Sequence, residues 1–194
     1  MRVIINIALI AIIGLLIWAL ISGIREPIAF QKERERRERA VVDRLMDIRT
    51  SQELYRGVTG AFASNFDTLK QVLTEGEFKV IQVFGDPDDP TNSEAILYDT
   101  IYMPAIDSVR ALGINLDSLP FVPFGGGAQF ELYADTLTYQ QTLVHVVEAG
   151  IARKVFMGDF ADPRFRRYDS NYDPNKKLKF GDRNTPNIAG NWER

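Results

Sequence analysis

The chain has no cysteine, a single histidine and no surplus of positive charge. Without cysteine there is no disulfide framework, no thiol nucleophile and no thiolate metal site. One histidine, His145, rules out a His-rich metal site. With 23 Lys and Arg against 26 Asp and Glu, the net charge of −3 argues against bulk nucleic-acid binding. No internal repeat is present, and no G-x-S-x-G nucleophile motif. Gly125-Gly126-Gly127 is not followed by Lys-Ser/Thr, so it reads as a hairpin connection and not as a phosphate loop.

What the chain does have is a long apolar run near its start. Residues 3–21 read VIINIALIAIIGLLIWALI, interrupted only by Asn6 and Gly14. As a helix this run reaches about 28 Å, close to the roughly 30 Å of a bilayer's hydrocarbon core. It exceeds the roughly 7–15 apolar residues of a signal peptide, and Ile21 spoils the small-x-small pattern that cleavage needs. The expectation is a retained anchor over residues 1–24, with the lipid bilayer as the first partner. Lys and Arg near the span are Arg2 on one side and Arg25, Lys32, Arg34, Arg36, Arg37 and Arg39 on the other. By the positive-inside rule that count favours a cytoplasmic domain.

Residues 25–60 read as a stalk helix with a kink or break at Glu26-Pro27, because proline lacks the amide donor and disfavours helix in the residue before it. Acid–base pairs such as Glu35–Arg39 stand four apart in the favourable order. An apolar stripe at 4-3 spacing, Val41, Leu45, Ile48 and Tyr55 with Gln52 in the gap, predicts packing of the distal half against the chain's own sheet. The proximal half, with Arg34 and Glu38 on the same face, reads as solvated. Gly57 and Gly60 are the expected stops.

Residues 61–158 read as a globular head. Asn65 or Asp67 caps a short helix with Phe66, Leu69, Val72 and Leu73 inward. FKVIQVFG, AILYDTIYMPAI, PFVPF, FELYADTLTY, TLVHVVEAG and KVFMGD read as strands, DSVRALG as a helical turn and DPDDPTNSE as a loop. Residues 159–194 read as a polar, irregular surface extension with a strand near Leu178–Phe180. The fold class that follows is α+β: transmembrane helix, long stalk helix, short helix, then a mainly antiparallel sheet.

Candidate sites are few. His145 lies among valines without a partner base or nucleophile, so a structural role is expected. Asp86, Asp88 and Asp89 form an oxygen-rich loop that could hold calcium, but lack the D-x-D-x-D-G ligand pattern. Asp159, Asp162, Asp169 and Asp173 are sparser. The tail's Arg164, Arg166, Arg167, Lys176, Lys177 and Lys179, interleaved with Phe165, Tyr168, Tyr172 and Phe180, read as solvated surface or a protein contact rather than a nucleic-acid patch. No cofactor is expected, and no enzymatic activity.

Residues 47–69, DIRTSQELYRGVTGAFASNFDTL, resemble the segment that follows the long helix in type IV pilin-like proteins, above all the major pseudopilin of type II secretion systems. The residues that carry the resemblance are Ile48, Arg49, Gln52, Leu54, Tyr55, Gly60, Phe62 and Leu69. The membrane anchor, Gly14 and a proline after the span fit the same plan. The family's basic leader and its Glu at the fifth apolar position have no counterpart in residues 1–25, and Ala63 stands where a proline is usual. The resemblance therefore implies a membrane-resident, pilin-like fold that does not itself polymerise. It implies a non-catalytic component of a bacterial secretion or pilus-like assembly, in contact with other pseudopilin-like or membrane subunits as a homo- or hetero-oligomer. It also implies an inner-membrane location with a periplasmic head, against the cytoplasmic side that the Lys/Arg count favours. The alternative is an accessory or scaffold subunit of another membrane complex.

Overall fold

A single helix, α1 (Arg2–Thr59), organises the molecule in the computed structural model, which describes residues 2–84 and 97–193. Its 58 residues extend about 87 Å. The helix runs through Pro27 without a break, contrary to the expected interruption. Side chains on either side of that proline explain why. Glu26 and Phe30 are both held by the C-terminal segment, which offsets the one backbone hydrogen bond that Pro27 cannot make. Gly57 lies inside the helix, and the stop is Gly60, whose φ of 84° is the left-handed geometry that glycine takes at least cost.

After α1 come α2 (Phe66–Glu75), β1 (Glu77–Phe84), β2 (Leu97–Pro104), α3 (Ala105–Ala111), β3 (Glu131–Tyr139), β4 (Thr142–Ala152), α4 (Arg153–Met157) and β5 (Lys177–Gly181). The class is α+β, with two separate antiparallel sheets. β1 and β2 form an isolated ribbon, in register from Glu77↔Pro104 to Phe84↔Leu97. β3, β4 and β5 form a three-stranded sheet in that order. Asn65 caps α2, its side-chain oxygen accepting from the amide of Thr68 at 2.7 Å. Leu69 and Leu73 are buried beneath it.

Two of the expected strands are absent. PFVPF is a tight turn with one bridge, Phe121↔Gln129. Its prolines remove ladder donors, and Phe124 takes a φ of 60°, incompatible with a strand. KVFMGD does not extend the sheet: α4 and a 3-10 turn, Gly158–Ala161, follow β4 directly. The C-terminal segment is not a surface extension either. Phe165, Tyr172, Leu178 and Phe180 are buried in the same core as Val41, Leu45 and Ile48. The final residues fold back on β5, where the Asn191 side chain donates to the Lys177 carbonyl and accepts from the Lys179 amide.

One face of the proximal half of the stalk is covered, contrary to the expected solvated face, while Lys32, Glu35, Arg36 and Arg39 on the other side are exposed. Phe30 has no exposed surface. Its ring stacks on Phe165 (centroids 5.0 Å apart, planes 9° apart) and meets the edge of Tyr172 at 4.9 Å. One turn further, Arg34 pairs with Asp169, Arg37 donates to the Phe156 carbonyl at 2.8 Å, and Glu38 accepts from Arg153 at 2.7 Å. Beyond these lie Val41, Leu45 and Ile48, all fully buried, each stabilising the docked helix by about 1.5–3 kcal/mol.

Candidate functional site

Three surfaces stand out because their burial or exposure demands an explanation. The first is the apolar start of α1. From Val3 to Ile24 the large side chains whose positions are described are exposed, Leu9, Ile13, Leu16 and Trp18 among them. Among the described residues no element packs on them, and α1 is long and apolar enough here to cross a membrane by length and composition. An uncovered apolar surface of this size is unstable in water and marks a contact with lipid or protein.

The second is the junction at the far end of α1, where the residues of the pilin-like motif gather. Ile48 and Leu69 are in the core. The buried Gln52 amide clamps one residue of the following loop: its Nε2 donates to the Ala63 carbonyl at 3.0 Å and its Oε1 accepts from the Ala63 amide at 2.8 Å. Arg49 reaches Glu193 at 2.7 Å, and this contact, aided by the Gly190 amide, holds the Glu193 carboxyl below its usual range. Leu54 and Tyr55 are half-buried against the core. Arg56 lies over the ring of Phe62, 5.1 Å from its centroid. These residues fasten the helix end, the loop and the C-terminus together. None converges on a cavity.

The third surface is the β1–β2 ribbon. It is fixed at its base, where the Phe78 ring packs on Gly57 and the Ala105 amide donates to the Gly76 carbonyl at 2.9 Å. Above that base Val80, Ile81, Ile101, Tyr102 and Met103 are exposed. A two-stranded ribbon is marginally stable alone in water, and its outer edges offer unpaired backbone groups.

Next to the apolar run, Glu26 is enclosed by cations. Its Oε2 accepts from the Tyr168 hydroxyl at 2.7 Å and from Arg167 at 2.8 Å, and Arg164 stands 3.8 Å from its Oε1. The Tyr168 hydrogen bond is the largest single cause that lowers the Glu26 pKa, and Arg167 and Arg164 lower it further. Tyr172, whose hydroxyl donates to the Phe160 carbonyl at 2.7 Å, is pushed up to about 12 by burial and by Glu38. None of these groups is poised for proton transfer near neutral pH.

His145 is exposed on β4, paired across the hairpin with Thr136, whose hydroxyl lies 2.8 Å from Nδ1. The calcium candidates Asp86, Asp88 and Asp89 lie outside the described residues. Of the second acidic set, Asp169 is engaged by Arg34, Asp162 caps the Arg164 amide and Asp173 that of Asn175. Among the described residues no cluster of three or more Asp, Glu, His or Cys could hold a metal. Two open grooves among the described residues, about 420 and 390 Å³, lie between α2 and α3 and along the outer face of α1. Some of the tail's cations pair within the molecule, Lys177 with Glu131 and Lys179 and Arg183 with Glu148, while Arg164, Arg166, Arg167 and Lys176 are exposed.

No protein-family model matches the chain, nor does any curated protein or solved structure.

Proposed function

We propose that this protein is a non-catalytic, single-pass membrane-anchored structural subunit, pilin-like in plan, of a bacterial secretion or pilus-type assembly. The observation that carries the reading is the division of α1. One unbroken helix leaves its described large side chains from Val3 to Ile24 bare and apolar, then docks one face of the rest along an α+β head. A bare apolar stretch joined without a linker to a packed one places the head directly on the surface of whatever solvates the stretch. Lipid is the solvent its length fits. The ribbon's exposed apolar residues sit about 50 Å further along the helix axis, out of reach of that bilayer. They are the surface on which a protein partner would build.

A second reading, an accessory or scaffold subunit of another membrane complex, is favoured by a separate observation. Residues 156–172 cover one face of α1 immediately past the apolar run, so that face is closed to neighbouring helices.

Two measurements on the full chain in bacterial membranes test the proposal. The protein should stay in the pellet after alkaline carbonate extraction. Protease added to spheroplasts should cleave the C-terminal residues. Release by carbonate would overturn the anchor, and a tail protected until the membrane is lysed would remove the secretion reading.

A further inference from the structure

Beside the apolar run the C-terminal segment builds a basic rim. The 3-10 turn Pro163–Arg167 is pinned by Phe165, which inserts into the Phe30 cluster. That one inward residue forces its neighbours Arg164, Arg166 and Arg167 outward, and all three are exposed. The guanidinium groups of Arg164 and Arg167 reach back toward Glu26, about 6 Å nearer the apolar run than Phe30. Arg25, also exposed, adds a fourth cation at the same level. Arg25–Glu26 and residues 162–168 together hold four arginines and two acids, Glu26 and Asp162, in a chain whose total charge is −3.

Position along the helix decides what this rim meets. If residues 3–21 fill the hydrocarbon core, Glu26 stands about 7 Å beyond its edge, within the layer of lipid headgroups. Cations held at that depth by a folded turn are attracted to anionic lipid and fall within its short electrostatic range. Tyr168, half-buried with its hydroxyl on Glu26, is the amphipathic ring that such interfaces favour.

We infer that Arg25, Arg164, Arg166 and Arg167 form a headgroup-binding collar that selects anionic phospholipids around the anchor. This rests on the membrane reading above, and the test separates the two. The full chain in detergent micelles is titrated with dioleoyl phosphatidylglycerol or dioleoyl phosphatidylcholine, and retained lipids are counted by native mass spectrometry. The wild type should retain phosphatidylglycerol in preference to phosphatidylcholine. Arg164→Gln with Arg166→Gln should reduce that preference about fivefold or more, while Arg167 is left in place because it also bonds Glu26. Lys70→Gln with Arg110→Gln, far from the rim, should leave it unchanged.

Equal retention of both lipids would overturn the collar and leave the anchor standing. Retention of neither would overturn both. Equal loss in the distal variant would mean that net charge, not the collar, selects the lipid. Competition by millimolar glycerophosphoglycerol would make the rim a soluble-anion site and overturn the inference too.

Discussion

Replacing Phe30 by alanine is the sharpest probe of how the helix is held. The side chain is wholly enclosed by Phe160, Phe165, Tyr168 and Tyr172, on a stretch of α1 otherwise made of charged residues. Truncating a buried phenylalanine costs about 3–5 kcal/mol, because the apolar transfer is lost and the walls close only partly over the cavity. The stacked and edge-on rings place this site toward the upper end, since aromatic pairs contribute about 0.5–1.5 kcal/mol beyond area alone. For a domain of this size each kcal/mol moves the midpoint by about 2–4 °C, so Phe30→Ala should lower Tm by roughly 6–20 °C. The assay is thermal unfolding of the full chain in detergent, followed by near-ultraviolet circular dichroism, with Phe30→Leu as the smaller step. Limited trypsin digestion supplies a local readout, because release of the turn should speed cleavage at Arg164, Arg166 and Arg167. A midpoint within about 2 °C of wild type, together with an unchanged cleavage rate, would refute the claim that the C-terminal segment grips the stalk.

Further outcomes follow from the same packing. Leu45→Asp puts an unpaired charge where no water reaches, so it should cost upwards of about 4 kcal/mol and give a head that fails to unfold cooperatively in a denaturant titration. Gln52→Ala leaves both backbone groups of Ala63 without their partner, a loss of about 2–4 kcal/mol by urea midpoint, with faster amide exchange at Ala63. At Glu148 burial would raise the carboxyl pKa, but Lys179 and Arg183 outweigh it and hold the pKa below the usual 4.5. The resulting stabilisation is fully present above pH 4.5 and is lost as the pH falls through the lowered value. Urea midpoints of Lys179→Met with Arg183→Gln should therefore trail wild type at pH 6 and approach it as the pH falls through the lowered pKa of Glu148.

Periodicity revealed the distal stalk because Val41, Leu45 and Ile48 are apolar without exception. It concealed the proximal stalk because Arg34 and Arg37 interrupt the same stripe. Counting back from Val41 by 4, 3 and 4 lands on Arg37, Arg34 and Phe30, so one aromatic residue in a charged run was the available signal. The charged residues between them find ionic partners over a hundred positions away, which no local pattern encodes. β-Branched and aromatic content identified β1 to β4, yet failed on PFVPF, where proline geometry outweighs aromatic strand preference. KVFMGD failed differently: a short apolar run has no period of its own, and the end of β4 turned it into a helix. The core role of the tail was hidden by composition, since Phe165, Tyr172 and Phe180 sit singly among Asp, Asn and Lys. The motif at Gln52 and Gly60 was visible as a pattern, but its work as a fastener needed the fold.

The unbroken passage of α1 through Pro27 makes the protein a lever. With no hinge between its two arms, any lean of the lower arm swings the upper one. A change of about 10° at the base would sweep the ribbon tip through about 9 Å, well inside the range over which such helices tilt. Under the proposed membrane reading, bilayer thickness and any protein bound to the ribbon would then act on each other through geometry alone.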